Sequence, residues 1–247
     1  MYYFASDIHL GAGTTEQQLA TERLFVQWLD RVAKDADAIF LCGDVFDFWF
    51  EYKRVVPKGF VRVLGKIATI TDSGTRVVFM CGNHDMWVRD YFTKECGMEI
   101  YTSPTTFDIA GRSVHIAHGD NLNIKRSNIT LRLMNGFFRS SFVRRAFSSL
   151  IHPNLAIRFG AWWSSSSRKG HREEDKSVME RSIGYLRAYA EEHYQREAAD
   201  LYIFGHLHHA GDYSQETPAI IFMNDWSKAP HYIAIDKQGR AEFKSVK

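Results

Sequence analysis

The chain has 247 residues, 45% of them hydrophobic, with 31 basic and 29 acidic side chains and a formal net charge of +2. That is enough chain for one large core, or one domain with an insertion. No stretch approaches 18 consecutive apolar residues, which sets a membrane-spanning helix aside. The three cysteines, Cys42, Cys81 and Cys96, have no spacing pattern and make no disulfide framework. Cys42 and Cys81 close apolar runs and read as small buried residues of a reducing compartment. The opening Met1-Tyr2-Tyr3-Phe4-Ala5-Ser6 has neither a basic n-region nor a cleavage site, so no secretory leader is expected.

In chain order, Tyr2–Ala5 reads as a short buried strand. Residues 16–34 carry Leu19, Leu24, Phe25, Trp28, Leu29 and Val32 at helical spacing. Ala38–Cys42 is a second apolar strand. Val61, Leu64, Ile67 and Ile70 mark a second helix, closed by Asp72-Ser73-Gly74. Residues 77–81 form a third strand. Alternation of strand and helix predicts that the three strands are parallel, with the loops that follow them gathered at one edge. Residues 107–110 and 113–117, joined at Gly111-Arg112, predict a hairpin. Leu201–Phe204 is another buried strand. Residues 219–223, 232–235 and 241–244 read as a terminal antiparallel set. Two stacked sheets with helices outside account for this order.

Five short clusters sit at the ends of these runs: Ser6-Asp7-Ile8-His9, Gly43-Asp44, Gly82-Asn83-His84-Asp85, His118-Gly119-Asp120 and Gly205-His206-Leu207-His208. A divalent ion needs hard or borderline donors converging from several loops, and Asp, Asn and His supply them. Asp7 and His9 stand two apart at a strand end, where a turning backbone can aim both at one ion. Asp44 offers a carboxylate able to bridge two cations, and Asn83 a neutral amide oxygen. His118, His206 and His208 add imidazoles. Any one of these histidines alone is more often a satisfied polar residue; the ordered set of five is not.

The five clusters resemble the pattern of the calcineurin-like metallophosphoesterase superfamily: D-x-H, G-D-x-x-D, G-N-H-[DE], a lone His, and G-H-x-H. The resemblance spans Asp7 to His208. It implies an α/β fold, a four-layer α/β/β/α sandwich, and two divalent metal ions. Asp7, His9, Asp44 and His208 would hold the first ion; Asp44, Asn83, His118 and His206 the second. It also implies that His84 protonates the leaving group or, with Asn83, binds the scissile phosphate. Asp47 is either the acid that orients His84 or a loop cap, and Asp85 reads as structural. Manganese is the ion expected, with iron and zinc suited to the same donors.

The segment from about 122 to 195 interrupts the strands and is helical in character, with residues 173–196 reading as an amphipathic helix that places Ile183, Leu186 and Tyr189 on one side. Between Asn121 and Arg172 lie ten Lys or Arg and no Asp or Glu, leaving 21 basic against 29 acidic residues, a net −8, elsewhere. The same stretch holds Phe137, Phe138, Phe142, Phe147, Phe159, Trp162 and Trp163. We read residues 1–121 and 196–247 as the core and 122–195 as an inserted basic and aromatic lid. The Gly43-Asp44-Val45-Phe46-Asp47-Phe48-Trp49 run, the size and the insertion are similar to the UDP-2,3-diacylglucosamine diphosphatases of lipid A synthesis. The best-known branch of that family carries Arg where this chain has His84. The resemblance implies a nucleotide-linked lipid substrate, cleaved to UMP and a lipid sugar 1-phosphate. It places the enzyme peripherally at the cytoplasmic face of the inner membrane. Guanidinium and ammonium groups suit a diphosphate, and Arg168 and Lys169, beside the serine run, are the lid residues assigned to it. The lid aromatics are either an acyl-chain surface or the lid's own core. Two other readings stand: a nuclease or cyclic-nucleotide phosphodiesterase using the basic patch for a polyanion, and a non-catalytic metal-binding scaffold. The scaffold reading anticipates a lost ligand, and none is lost. For the lipid reading no nucleic acid partner is expected.

Overall fold

The computed structural model describes residues 1–120, 122, 129–172 and 176–246, with backbone alone at 130–132, 134, 135, 141, 161 and 165–172. Two sheets stack face to face. In the first, β1 (Tyr2–Ala5), β2 (Ala38–Cys42), β3 (Arg76–Met80) and β4 (Glu99–Tyr101) run parallel. The antiparallel β10 (His231–Ile235) and β11 (Ala241–Ser245) complete its other edge. In the second, β5 (Thr105–Ile109) and β6 (Arg112–Ala117) form a hairpin. β7 (Leu201–Phe204) and β9 (Ile220–Phe222) run parallel to β6, and β8 (Gly211–Tyr213) closes the edge.

The strands are apolar throughout because both faces of each sheet are covered. Between the sheets, Phe4, Phe40, Val78 and Met80 meet Val114, Ile116, Ile203 and Ile221. On the outer face of the first sheet, α1 (Thr15–Val32) and α2 (Val61–Asp72) pack Phe25, Trp28, Leu29, Val63 and Ile67 against Tyr3, Ile39, Leu41 and Phe79. Helix α1 starts where Thr14 and Gln17 cap each other. The Gln17 amide donates to Thr14 Oγ1 at 3.4 Å and the Thr14 amide to Gln17 Oε1 at 2.9 Å. Phe25, Trp28, Leu29 and Val32 then fall on one face. Each such side chain removed from water contributes about 1.5–3 kcal/mol.

Three features differ from the sequence expectation. The terminal strands are not one antiparallel set. Residues 220–222 join the second sheet parallel to β7, while β10 and β11 cross to the first. Periodicity reports burial, which is the same for either sheet. The short α3 (Tyr91–Cys96), β4 and β8 were not anticipated; each spans six residues or fewer, too little for a period to show. The hairpin turns at Ala110-Gly111, both with positive φ (54° and 75°), one residue earlier than expected.

Residues 122–195 contain four helices in their described part: α4 (Ile129–Arg139), α5 (Ser141–Leu150), α6 (Pro153–Arg172) and α7 (Lys176–Arg196, which ends just past that stretch). Helix α7 belongs to the core's packing. Leu186 and Ala190 are buried against Ala117, Tyr202, Phe204 and Phe222, so α7 supplies the outer layer over the second sheet. Helices α4, α5 and α6 instead meet the loops after β2 and β3. Trp87 Nε1 donates to the Phe138 carbonyl at 2.7 Å and Tyr52 Oη to the Ile151 carbonyl at 2.9 Å. Phe147 packs on Phe50 and Trp87, with ring centroids 5.2 and 5.3 Å apart. Ala156, Gly160 and Ser164 make a buried stripe on α6. At Gly160 a Cβ would collide with the Phe48 ring, so that helix seats directly on the loop after β2.

Candidate metal centre

All five sequence clusters meet at the carboxyl edge of the parallel strands, where loops from the two sheets face each other. Asp7 and His9 follow β1, Asp44 follows β2, Asn83 and His84 follow β3, His118 follows β6, and His206 and His208 follow β7. Hydrogen bonds lock these loops together. The Asp7 amide donates to the Gly43 carbonyl at 3.1 Å and the His9 amide to the Asp44 carbonyl at 3.0 Å. The Gly205 amide donates to the His118 carbonyl at 3.0 Å within the second sheet's loops, and the His206 amide ties them to the first by donating to Asp7 Oδ1 at 3.1 Å. At Gly82 a Cβ would strike the Asp44 carboxylate, and at Gly43, with φ 96°, it would strike the His118 ring. Only glycine lets these loops approach so closely.

The donor atoms fall into overlapping groups. His208 Nε2 lies 3.3 Å from Asp7 Oδ1, and His9 Nε2 lies 3.1 Å from His208 Nε2 and 4.0 Å from Asp7 Oδ1. His118 Nε2 lies 3.2 Å from Asp44 Oδ2, and donor atoms of Asp44, His118 and His206 all fall within 4.8 Å of one another. A third group, His9, Asp44 and His84, shares His9 with the first and Asp44 with the second. The Asp44 carboxylate is its anchor, with Oδ2 4.0 Å from His9 Nε2 and 3.9 Å from His84 Nε2. Asn83 Oδ1 is buried beside these groups with no hydrogen-bond partner, as an oxygen waiting for a cation would be. Imidazoles, carboxylates and one amide oxygen fit two divalent ions of the manganese, iron or zinc type. Six of the seven residues named for the ions share these groups, and Asn83 precedes His84 in the same loop.

The backbone around these donors is unusual. Seven described non-glycine residues have positive φ, and five of them are Asp7, His9, Asp44, His206 and His208. Left-handed conformation costs an L-residue about 1–2 kcal/mol, and such strain concentrates where side chains must be aimed for function. Electrostatics agrees. Burial raises the Asp7 carboxyl, but His208 and His118 outweigh it and bring it to about 2. Burial also opposes ionisation of Asp44, yet His118, His84 and His9 hold it well below the usual carboxylate range. The His118 imidazole is raised well above its ordinary value, against burial, by the Asp44 charge. The site gathers carboxylates at buried positions, where a divalent cation would compensate their charge.

His84 and Asp47 are placed differently from the sequence expectation. His84 Nδ1 meets the main-chain carbonyl of Asp47 at 2.8 Å, whereas the Asp47 carboxylate stands 3.4 Å from His9 Nδ1. The bond that orients His84 is thus a carbonyl's, and the acid lies beside a metal-ligand candidate. Phe46 pairs with Leu10 in a parallel bridge and the Asp47 amide donates to the Leu10 carbonyl at 2.9 Å, which ties Asp47 to the loop after β1 that carries His9. Asp85 is a brace. Its carboxylate accepts from the Gly82 amide at 2.7 Å and the Val45 amide at 2.9 Å, while burial and the Asp44 charge push it up to about 7. Asp225, missed in the sequence, stands with Oδ2 3.7 Å from His208 Nδ1. Its signal was available, since it follows the apolar run 219–223 as Asp44 follows Ala38–Cys42. The side chains of Arg168 and Lys169 lie outside the described residues; their backbone is part of α6.

Residues 2–210 match the family model described as calcineurin-like phosphoesterase. A UDP-2,3-diacylglucosamine hydrolase of Porphyromonas gingivalis is 34% identical over 248 residues, covering 95% of this chain and 93% of that one. A protein of the same name from Haemophilus influenzae strain PittGG is 24% identical over 249 residues, 99% of this chain and 98% of its own. Among solved structures, a novel archaeal phosphodiesterase aligns over 99% of this chain and 98% of its own at 13% identity and a TM-score of 0.47.

Proposed function

The chain belongs to the calcineurin-like phosphoesterase family, and from that premise we propose that it hydrolyses the pyrophosphate bond of UDP-2,3-diacylglucosamine. The products would be UMP and 2,3-diacylglucosamine 1-phosphate. The observation that carries the chemistry is the chain of three overlapping donor groups, linked through His9 and through Asp44. The substrate rests on relatives that bear this name along nearly their whole length.

In this reading Asp7, His9, Asp44 and His208 hold one ion, and Asp44, Asn83, His118 and His206 the other; manganese is the proposed metal. Bound there, a pair of ions supplies activation of water and stabilisation of charge on the phosphate. The chain's own groups do the rest. Asn83 and His84 face the phosphate from the loop after β3. With Nδ1 donating to the Asp47 carbonyl, His84 presents Nε2 to the substrate and, as the imidazolium, can give a proton there. The expelled group is itself a phosphate, whose oxygen is a weak base, so His84 acts as a hydrogen-bond donor to developing charge as much as a proton source. The Asp85 brace keeps its loop in register with Asp44.

Recognition of the lipid end is assigned to α4, α5 and α6. They expose Leu133, Phe137, Phe142, Leu155, Phe159, Trp162 and Trp163, with Phe142 77% and Trp162 61% accessible. Arg139, Arg144, Arg145 and Arg158 lie among them. No helix of the described residues is long and apolar enough to cross a membrane. A basic helical surface with protruding aromatics suits a peripheral enzyme on an anionic bilayer, and we place it at the cytoplasmic face of the inner membrane. Phe147 and Phe138, by contrast, are occupied in packing against Phe50 and Trp87.

Replacing Phe142 and Trp162 together by Ser tests this division. Losing the transfer of two aromatic side chains out of water is expected to raise KM for the lipid substrate about 10- to 100-fold. Hydrolysis of a small chromogenic phosphodiester by the same variant should be unchanged. Unaltered kinetics on UDP-2,3-diacylglucosamine in micelles would remove α4 to α6 from lipid recognition.

A further inference from the structure

The connection from β9 to β10 carries the chain from the second sheet to the first, and it passes directly over the metal-ligand candidates. At its start the Met223 amide donates to the Phe204 carbonyl at 2.7 Å, and further on the Trp226 amide donates to the Asp7 carbonyl at 3.0 Å. The Trp226 ring is anchored between Phe25 and Trp28, with centroids 5.2 and 5.6 Å away. Between these two ties sits Asp225, 3% exposed. A carboxylate so buried has to be satisfied. Its Oδ1 accepts from the Ser227 amide at 2.7 Å and its Oδ2 from the Ser227 hydroxyl at 2.8 Å. The Asp225 amide is taken by Asn224 Oδ1 at 2.9 Å. The side chain is therefore fixed from behind, and its Oδ2 faces His208 Nδ1 at 3.7 Å, an ionic contact.

The far nitrogen of that ring is the one that matters to the centre, for His208 Nε2 lies 3.3 Å from Asp7 Oδ1 and 3.1 Å from His9 Nε2. The His9 ring is arranged alike, with Nε2 inward and Nδ1 3.4 Å from the Asp47 carboxylate. His118 differs, because its Nδ1 meets the neutral Cys42 carbonyl at 3.1 Å. Carboxylates thus stand behind both imidazoles of the Asp7 group, and a carbonyl stands behind the His118 ring of the other.

We propose that Asp225 is a positioning residue for the ion held by Asp7, His9 and His208. Its charge keeps the proton of His208 on Nδ1, so that the Nε2 lone pair faces the ion with raised basicity. Groups that orient a metal-bound histidine in this way commonly govern affinity 10- to 100-fold. The β9–β10 connection serves the same ion twice, through the His208 ring and through the main chain of Asp7. The inference rests on the two-ion reading above.

The test is a calorimetric titration of metal-stripped protein with Mn²⁺. Wild-type protein is expected to show two sites. Asp225→Asn keeps the side chain's size and an oxygen for the Ser227 amide but removes the charge. It is expected to bind one Mn²⁺ about 10- to 100-fold more weakly and the other unchanged, with metal-free thermal unfolding near wild type. Ser227→Ala, which leaves the charge but frees the carboxylate, should weaken the same site less. Wild-type-like binding of both ions by Asp225→Asn overturns the proposal, and so does equal weakening of both sites. Failure of wild-type protein to take up two Mn²⁺ overturns the two-ion reading itself.

Discussion

Asp44→Ala is expected to abolish measurable turnover. Asp44 is the residue common to the His9–His84 and His118–His206 groups, with Oδ2 3.2 Å from His118 Nε2 and about equally far, 4.0 and 3.9 Å, from His9 and His84. Its other oxygen accepts the His84 amide at 2.9 Å. The substitution therefore removes a donor from both ions and releases the loop that carries Asn83 and His84. Loss of a ligand shared by both ions should cost more than loss of a ligand to one, because each ion then misses part of its coordination shell. His118→Ala, which takes a donor from one ion only, should be less severe. Steady-state rates with Mn²⁺ and elemental analysis of the purified variants decide the matter. Near-normal turnover of Asp44→Ala with two ions bound would refute its bridging position.

His84→Ala is expected to lower kcat by about 10²–10⁴-fold, the range for a positioned acid, while leaving two ions bound. The geometry sets two roles against each other. His84 lies within 4.8 Å of His9 and Asp44 and could in principle complete a donor set with them. Its Nε2, however, is 3.9 Å from Asp44 Oδ2, farther out than His118 at 3.2 Å, and its other nitrogen is committed to the Asp47 carbonyl. A ring held from behind at the rim of the donor groups is placed to meet substrate. Metal content separates the roles: one ion per chain in His84→Ala would make it a ligand and end its role toward the phosphate.

Much of the centre could be read from the sequence for a simple physical reason. β1, β2, β3 and β7 are buried on both faces, so they appear as apolar runs. A sheet of this kind delivers its chemistry at the carboxyl ends of its strands, and Asp7, Asp44, Asn83 and His206 stand there. The same logic failed for 220–222 and 231–235, because an apolar run does not say which of two stacked sheets will receive it. It read α7 correctly as an amphipathic helix with Leu186 on its apolar side, but gave that helix to the insertion because most of its residues are polar, whereas it covers the second sheet. The direction of Asp47 depended on the pairing of Phe46 with Leu10, and the left-handed backbone at Asp7, His9, Asp44, His206 and His208 is only faintly signalled by residue type, since Asp and His adopt it more often than most residues without requiring it. Asp225 was passed over because a lone Asp after a short strand is usually a turn residue, which it also is.

The proposed two-ion centre of Asp7, His9, Asp44, Asn83, His118, His206 and His208 would cleave a nucleotide-linked lipid. The direct measurement is product analysis with Mn²⁺-loaded protein on four substrates in parallel: UDP-2,3-diacylglucosamine, a cyclic nucleotide, single-stranded DNA and a chromogenic phosphodiester. The expected result is fast release of UMP and 2,3-diacylglucosamine 1-phosphate, slow cleavage of the chromogenic diester, and no turnover of DNA or the cyclic nucleotide. All activity should be lost with a chelator and restored by metal. Hydrolysis of DNA or the cyclic nucleotide with the lipid substrate untouched, or lipid cleavage that survives complete metal removal, would contradict it.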